Sequence, residues 1–277
     1  MSVQLLSGIA PIAADYDGYI LDLWGVLHDG AHPMPGAVEA LHQLRELKKH
    51  IVILSHAPRR AAPVIARIAE IGIARSLYDD LLSSGEATWR WLKQGGPGGR
   101  RLYPIMAARD ASMLDGLDFD VADRIETADF ILNTGVESAN DKVEDFEQIL
   151  RAAASRGLPM VCANPDLVVI HRGKYEICAG AIALRYEQLG GPVQYFGKPH
   201  APIYRDCFAL LAVSDRRRIL AVGDSLRTDI AGANAAGIDG LLVLGGIHQE
   251  ELTGGDLKSV IERAGVIPKA AVPVFRW

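Results

Sequence analysis

The sequence predicts an α/β protein built on a parallel sheet with helices on both faces. Short, almost wholly apolar runs alternate along the chain with longer stretches in which apolar residues recur every three or four positions. The runs are typical of parallel strands buried on both faces, and the longer stretches have the period of amphipathic helices. With 277 residues, the chain is long enough for such a core and a second domain inserted into it.

The N-terminal part of the chain gives two strands that end in polar residues. The predicted elements are strands at 19–21 and 51–54 and helices at 37–49 and 63–71. The first strand ends at Asp22 and the second at Ser55. A valine and leucines spaced by three residues predict the first helix, and Gly72 closes the second one.

The rest of the chain continues this alternation. We predict strands at 102–106, 130–133, 160–163, 219–222 and 240–244, and helices at 143–156 and 228–236. Gly223 and Asp224 follow the fourth of these strands, and Gly237 closes the second helix. The glycine-rich stretch 94–99 lacks the lysine and hydroxyl residue of a P-loop, so it predicts a turn and not a phosphate cradle.

The composition excludes several classes of protein. Lys and Arg number 29 against 34 Asp and Glu, a formal net charge of -5, whereas sequence-independent nucleic-acid binding needs a basic face. The cysteines, Cys162, Cys178 and Cys207, form no disulfide or zinc pattern and are expected to be reduced. The sequence shows neither a leader pattern nor an apolar run of about 20 residues. We therefore expect a cytoplasmic protein that binds neither nucleic acid nor membrane.

Polar residues at the ends of the predicted strands define a candidate catalytic site. Ligands of open parallel sheets bind beyond the carboxyl ends of the strands, so Asp22, Ser55 and Asp224 are expected to converge. Lys198, restricted by the proline after it, is a fourth candidate. Two carboxylates suit Mg²⁺, one of them can attack phosphorus, and a hydroxyl and an ammonium can stabilise phosphoryl oxygens. Asp229 could orient a metal-bound water or the lysine.

Each of these residues also has an ordinary structural explanation. A strand-terminal aspartate such as Asp22 often forms a turn or caps a helix, and the same holds for Ser55 and Asp229. Lys198 by itself is typical of a solvated surface. The catalytic interpretation depends on the order of these residues and on their placement at strand ends.

Four ordered segments resemble the motifs of haloacid dehalogenase hydrolases. They are Asp22-Leu23-Trp24-Gly25-Val26, Leu54-Ser55, Gly197-Lys198-Pro199 and Gly223-Asp224-Ser225-Leu226-Arg227-Thr228-Asp229. The pattern is similar to the class IIA branch, which includes the NagD-type nucleotide and sugar phosphatases. The features that suit this branch are Pro35-Gly36-Ala37, Asn164-Pro165-Asp166 and Gly197-Lys198-Pro199-His200.

The resemblance covers nearly the whole chain and implies a Rossmann-like core with an inserted α/β cap domain. The core would comprise residues 1–83 and 191–277, and the cap would comprise residues 84–190. The substrate would be a small phosphorylated metabolite, such as a sugar phosphate or a nucleotide. A homodimer is compatible with the resemblance.

The resemblance also implies roles for the candidate residues. Asp22 would be the nucleophile that forms an aspartyl-phosphate, with Ser55 and Lys198 assisting. Mg²⁺ would be held by Asp22, the backbone carbonyl of Trp24 and Asp224. The supporting positions would be Asp229 beside the metal and, near the substrate, Asn164 and Asp166.

Trp24 departs from the pattern, because phosphatases of this family usually have a second aspartate there as general acid and base. Indole has an N–H donor but does not titrate near neutral pH, and general acid–base assistance is typically worth ~10²–10⁴-fold in rate. His28 and His56 are candidate substitutes, with Asp29 a third. The competing interpretation is that these are loop residues with ordinary hydrogen bonds.

Two other functions stay open. The chain could bind a phosphorylated metabolite with little or no turnover, since a bulky indole near a cleft can stack on a base or a sugar. It could also be a dehalogenase, a class that lacks the second aspartate but resembles a metal-free design with a helical cap. A phosphatase releases phosphate, a dehalogenase releases halide without Mg²⁺, and a binding protein releases neither.

Overall fold

The chain forms two compact units. The computed structural model describes residues 3–171, 174–245 and 257–277. The first unit contains residues 1–55, 65–82 and 198–277, and the second contains residues 56–64 and 83–197. Among the helices in the described ranges, none is long and apolar enough to cross a membrane.

Strands and helices alternate through both units. The strands are β1 (Gln4–Leu5), β2 (Gly18–Asp22), β3 (His50–Ser55), β4 (Asp80–Ser83), β5 (Arg101–Ile105), β6 (Asp120–Val121), β7 (Phe130–Asn133), β8 (Met160–Cys162), β9 (Val168–His171), β10 (Lys174–Ile177), β11 (Val193–Tyr195), β12 (Ile219–Gly223), β13 (Asp239–Val243) and β14 (Ala270–Val272). The helices are α1 (Ala37–Glu46), α2 (Ala61–Ile71), α3 (Ser84–Lys93), α4 (Glu147–Ser155), α5 (Ala179–Gln188), α6 (Ala201–Leu211), α7 (Ala231–Ala236) and α8 (Leu257–Ala264).

The first unit is built around a sheet with the strand order β1-β14-β13-β12-β2-β3-β4 in the described residues. At its centre β12, β2 and β3 are parallel neighbours. All residues of β2 and β12 are buried, which explains why their sequences are continuously apolar. The register pairs Val222 with Leu21, and Asp22 with Leu54. The carboxyl ends of these three strands therefore meet at one edge of the sheet.

The second unit contains a parallel sheet of its own, in the order β11-β8-β7-β5-β6, and an antiparallel hairpin of β9 and β10. Successive residues of β7 pack into different apolar clusters, Ile131 into one and Phe130 into the other, as expected when helices cover both faces. Residues 56–64 and 191–197, which the resemblance assigned to the core, fall in this second unit, where β11 pairs with β8. The predicted α/β class is confirmed.

The strands predicted from the sequence are confirmed to within one residue at either end. The predicted helices differ more at their ends. Helix α1 ends at Glu46 and not at residue 49, and α2 begins at Ala61 and not at residue 63. Two further helices begin later than predicted. In place of a helix over 143–156, a 3-10 turn (Val143–Phe146) precedes α4. In place of a helix over 228–236, a π-helical turn (Leu226–Ile230) precedes α7, and this turn positions one of the candidate carboxylates.

Four helices of the described chain, α3, α5, α6 and α8, were not predicted. Helix α3 begins after Ser83, whose Oγ accepts a hydrogen bond from the amide of Glu86 at 3.0 Å, and this serine–glutamate spacing is a start signal visible in the sequence. Helix α6 has a proline in its first turn, which is a second such signal. Helix α5 has no side-chain cap, so the sequence offers no comparable signal for it.

Candidate active site

The three strand-end residues that were predicted to converge lie at the carboxyl edge of the first unit's sheet. Asp22 is the last residue of β2, Ser55 is the last residue of β3, and Asp224 follows β12 directly. Their exposed fractions are 9%, 6% and 5%. Carboxylates buried to this degree need a cation or hydrogen-bond donors close by.

Lys198 supplies that cation. It lies in the turn before α6, and its Nζ donates hydrogen bonds to Oδ1 of Asp22 at 2.5 Å and to Oδ1 of Asp229 at 2.7 Å. Burial by itself lowers the pKa of a lysine, but the charges of the two aspartates outweigh burial and hold the pKa of Lys198 above its usual value. The side chain is therefore a fixed ammonium at neutral pH.

Asp229 is positioned by the π-helical turn before α7. The amide of Ser225 donates to Oδ2 of Asp229 at 3.1 Å, and the amide of Asp229 donates back to the carbonyl of Ser225. A Cβ atom at Gly223 would lie 2.0 Å from Cγ of Asp229. The glycine at the end of β12 therefore makes room for this carboxylate beside the strand.

The carboxylates at this edge lie close enough to share a cation. One oxygen from each of Asp22, Asp224 and Asp229 lies within 4.8 Å of the other two. With the ammonium of Lys198, three carboxylates and one cation give these side chains a formal net charge of -2. A cluster of oxygen donors with excess negative charge fits a hard divalent cation such as Mg²⁺.

Trp24 lies two residues beyond Asp22, in a loop that fixes its ring. The indole is 36% exposed and meets the imidazole of His28 edge-on, with the ring centroids 5.4 Å apart. Gly30 has a φ angle of 97°, and a Cβ atom there would lie 2.5 Å from Cη2 of the indole. The glycine is thus required both by its backbone conformation and by the place of the ring.

Two titratable residues of this loop are engaged in the loop's own structure. His28 is buried, and its Nδ1 accepts a hydrogen bond from the amide of Gly30 at 2.8 Å. Burial lowers the pKa of His28 to about 4, so the imidazole is neutral at pH 7. The carboxylate of Asp29 accepts hydrogen bonds from the amides of Ala31 and His32 at 2.8 and 2.7 Å.

In the second unit the structure brings three of the predicted residues together. Nδ1 of His56 lies 2.8 Å from Oδ1 of Asp166. The amide of Asp166 donates to Oδ1 of Asn164 at 3.0 Å. His56 and Asn164 are buried, and the side chain of Asp166 is 32% exposed. A candidate for acid–base catalysis and the candidates for substrate contact therefore form one polar cluster.

The segment 56–60 makes ion pairs that the sequence did not indicate. Arg59 pairs with the buried Asp110 at 3.1 Å, and Arg60 pairs with Glu86 at 2.7 Å. These contacts attach the segment to the second unit. The partners are far apart in the chain, 26 residues in the case of Arg60 and Glu86, so no local pattern signals them.

Comparison with known proteins finds relatives over most of the chain. A family signature described as haloacid dehalogenase-like hydrolase matches residues 19–120, and a second, described as HAD-hydrolase-like, matches residues 195–267. D-glycerol 3-phosphate phosphatase of Mycobacterium tuberculosis is 30% identical over 238 residues, which is 86% of this chain and 65% of that protein. Ribonucleotide monophosphatase NagD of Escherichia coli K12 is 28% identical over 233 residues, 82% of this chain and 87% of that protein.

Solved structures share the fold. A haloacid dehalogenase-like family hydrolase from Brucella suis 1330 has a TM-score of 0.86 and 32% identity, covering 98% of this chain and 99% of that one. Glycerol phosphate phosphatase of Mycobacterium tuberculosis in complex with magnesium has a TM-score of 0.68 and 26% identity, covering 85% of this chain and 70% of that one. The match therefore extends over both units.

Proposed function

Because this chain belongs to the haloacid dehalogenase-like hydrolase family, we propose that it hydrolyses a small phosphorylated metabolite through an aspartyl-phosphate on Asp22. The observation that carries the proposal is the buried contact of Lys198 with Asp22 and Asp229 at the carboxyl edge of the sheet. A carboxylate held in place by an ammonium, beside further carboxylates that suit a divalent cation, is prepared to attack phosphorus.

The proposed roles follow from the chemistry of each side chain. Asp22 attacks the phosphorus atom, and its orientation is set by the hydrogen bond from Lys198. The same ammonium neutralises charge on the transferring phosphoryl group, and the hydroxyl of Ser55 donates a hydrogen bond to one of its oxygens. Asp229 keeps Lys198 in place from the other side.

The residues that would hold Mg²⁺ are Asp22, Asp224 and the backbone carbonyl of Trp24, with Asp229 in support. The cluster of carboxylate oxygens within 4.8 Å fits this ion. When bound, Mg²⁺ would polarise the phosphoryl oxygens and offset their charge. The magnesium complex of the mycobacterial glycerol phosphate phosphatase supports the same choice of metal for this chain.

The substrate class is proposed from the relatives. A D-glycerol 3-phosphate phosphatase and a ribonucleotide monophosphatase both act on small phosphorylated molecules, as their names state. We assign the choice of substrate to the predicted cap, residues 84–190, and there to the turn of Asn164 and Asp166. The hydrogen bond within this turn and the contact of Asp166 with His56 support a fixed polar surface.

The proposal is tested by phosphate release from a panel of phosphorylated metabolites that includes acyl phosphates and nucleoside diphosphates as well as sugar phosphates, with and without Mg²⁺. Wild-type protein is compared with Asp22→Asn, and Asp206→Asn on the exposed side of α6 serves as the matched control. We expect Mg²⁺-dependent release that is lost in Asp22→Asn and kept in the control. Phosphate release that survives in Asp22→Asn would exclude the nucleophile proposed.

Trp24 favours one alternative, a phosphometabolite-binding protein with little or no turnover, because the indole occupies the place of the usual acid. This alternative predicts ligand binding without release of phosphate above the Asp22→Asn background. A dehalogenase would release halide in the absence of Mg²⁺. The same assay, extended by a binding measurement, separates the three functions.

A further inference from the structure

Trp24, which follows Asp22 by two residues, carries no acidic proton that could be transferred to a leaving group. The indole N–H of Trp24 can donate a hydrogen bond, but it does not titrate near neutral pH. The ring is also held in place, because it meets His28 edge-on at 5.4 Å and lies where a Cβ atom at Gly30 would clash. The ring is therefore not free to rotate aside and let an acidic side chain take its place.

The titratable side chains that could replace this acid are engaged elsewhere. His56 belongs to the second unit, where its Nδ1 lies 2.8 Å from Oδ1 of Asp166. His28 accepts the amide of Gly30 through Nδ1, and Asp29 accepts two backbone amides. Nζ of Lys198 is shared by the carboxylates of Asp22 and Asp229. Each of these groups already takes part in a hydrogen bond or an ion pair that holds the local structure.

We infer that the substrate is a phosphate compound whose leaving group departs as a stable anion: an acyl phosphate, a phosphoric anhydride or an aryl phosphate, in preference to an alkyl ester. This inference rests on the proposed attack by Asp22. The departing oxygen atom defines the class of compound, and the predicted cap would select the rest of the metabolite.

When the leaving group is a stable anion, the reaction needs no proton from the protein. An oxygen of Asp22 forms a bond to phosphorus, the bond from phosphorus to the leaving oxygen breaks, and that oxygen keeps the electron pair. Water then attacks the phosphorus of the aspartyl-phosphate, the carboxylate of Asp22 is released, and the proton of the water ends on the free phosphate. No oxidant, reductant or second substrate is required.

The identity of the leaving oxygen decides how much the missing acid matters. A carboxylate leaves as the base of an acid with pKa about 4, and a phosphate as the base of one with pKa about 6. A phenolate corresponds to a pKa of about 10, and an alkoxide resembles hydroxide, whose conjugate acid, water, is a far weaker acid still. Only the alkoxide, and to a smaller extent the phenolate, needs to be protonated as it leaves.

The experiment measures kcat/KM against the pKa of the leaving group. The substrates are acetyl phosphate, a series of substituted phenyl phosphates and glycerol phosphate, with Asp22→Asn as the background for spontaneous hydrolysis. We compare wild-type protein with Trp24→Asp and Trp24→Asn. The two variants differ in one titratable group, and both keep the backbone carbonyl of residue 24, so Trp24→Asn controls for the loss of the ring.

In wild-type protein we expect kcat/KM to fall steeply as the pKa of the leaving group rises. Trp24→Asp should flatten this dependence and raise kcat/KM for glycerol phosphate relative to acetyl phosphate by ~10²–10⁴-fold, the usual contribution of a general acid. Trp24→Asn should keep the steep dependence. A loss of packing alone would lower kcat/KM for all substrates by a similar factor. It would not change the dependence of kcat/KM on the pKa of the leaving group.

A shallow dependence in wild-type protein, or glycerol phosphate as the best substrate, would overturn the inference and assign proton donation to another group. This result comes from the wild type alone, so it does not depend on the folding of either variant. Failure of the proposed function is a different result, since no substrate would then release phosphate above the Asp22→Asn background.

Discussion

Replacing Lys198 by methionine is expected to destabilise the metal-free protein by about 3–5 kcal/mol, the range measured when one partner of a buried ion pair is removed. The structure supports this range because Lys198 is 2% exposed and its Nζ is bound to both Asp22 and Asp229. Methionine fills a similar volume but carries no charge. The carboxylates of Asp22, Asp224 and Asp229, which lie within 4.8 Å of one another, would then repel each other at close range.

The effect of pH on this loss follows from the raised pKa of the lysine. A group whose pKa is higher in the folded than in the unfolded protein stabilises the fold fully below its ordinary pKa, here 10.5, and loses that contribution only as pH rises through the raised value. The difference in free energy of unfolding between wild type and Lys198→Met is therefore expected to stay constant, as far as this lysine is concerned, between roughly pH 7 and pH 9.

Urea unfolding followed by far-UV circular dichroism, in the presence of a chelator, measures this difference. The matched control is Lys258→Met in α8, where the lysine is 54% exposed and lies 3.8 Å from Glu262. The control is expected to change stability by less than about 1 kcal/mol. If Lys198→Met cost no more than the control, the idea that a buried ammonium balances these carboxylates would be refuted.

Three further predictions concern the metal, a glycine and an ion pair. Mg²⁺ at 100 times its Kd should stabilise the wild type by about 2.7 kcal/mol, and Asp224→Asn should remove most of this gain, as measured by the thermal midpoint with and without chelator. Gly223→Ala should cost about 1–3 kcal/mol and most of the phosphatase activity, because its Cβ would lie 2.0 Å from Cγ of Asp229; unchanged turnover would contradict the placement of that carboxylate. A hydrogen bond from Arg185 lowers the pKa of Glu147 from 4.5 to about 2, so this pair should lose its stabilising effect as pH falls through that interval, and Arg185→Gln should show a flatter dependence of stability on pH there.

The central strands were predictable because their burial leaves a local mark. Strands β2, β3 and β12 lie inside a parallel sheet, so nearly every residue is apolar and the polar residue that ends each run stands out. Helix starts were less predictable. The turn before α7 is π-helical because the amides of both Asp229 and Ile230 bind the carbonyl of Ser225, an arrangement that apolar periodicity does not distinguish from a regular first turn.

The candidate site was likewise predictable only in part. The sequence placed Asp22, Ser55 and Asp224 at strand ends, and the rule that ligands bind at such ends predicted that they converge. The structure adds why Gly223 is a glycine, since the carboxylate of Asp229 occupies the space that a Cβ atom would take. It also shows that the ring of Trp24 is fixed by its own loop.

By itself, the sequence determined the fold class, the order of the central strands along the chain, and the residues that stand at their carboxyl ends, because each of these depends on local composition and spacing. Only the tertiary structure determined which side chains contact one another. Lys198 binds Asp22 across 176 residues of chain, and His56 meets Asp166 in the second unit. Such pairs depend on strand register and on how loops return to the sheet, and these are properties of the whole packed chain rather than of any segment within it.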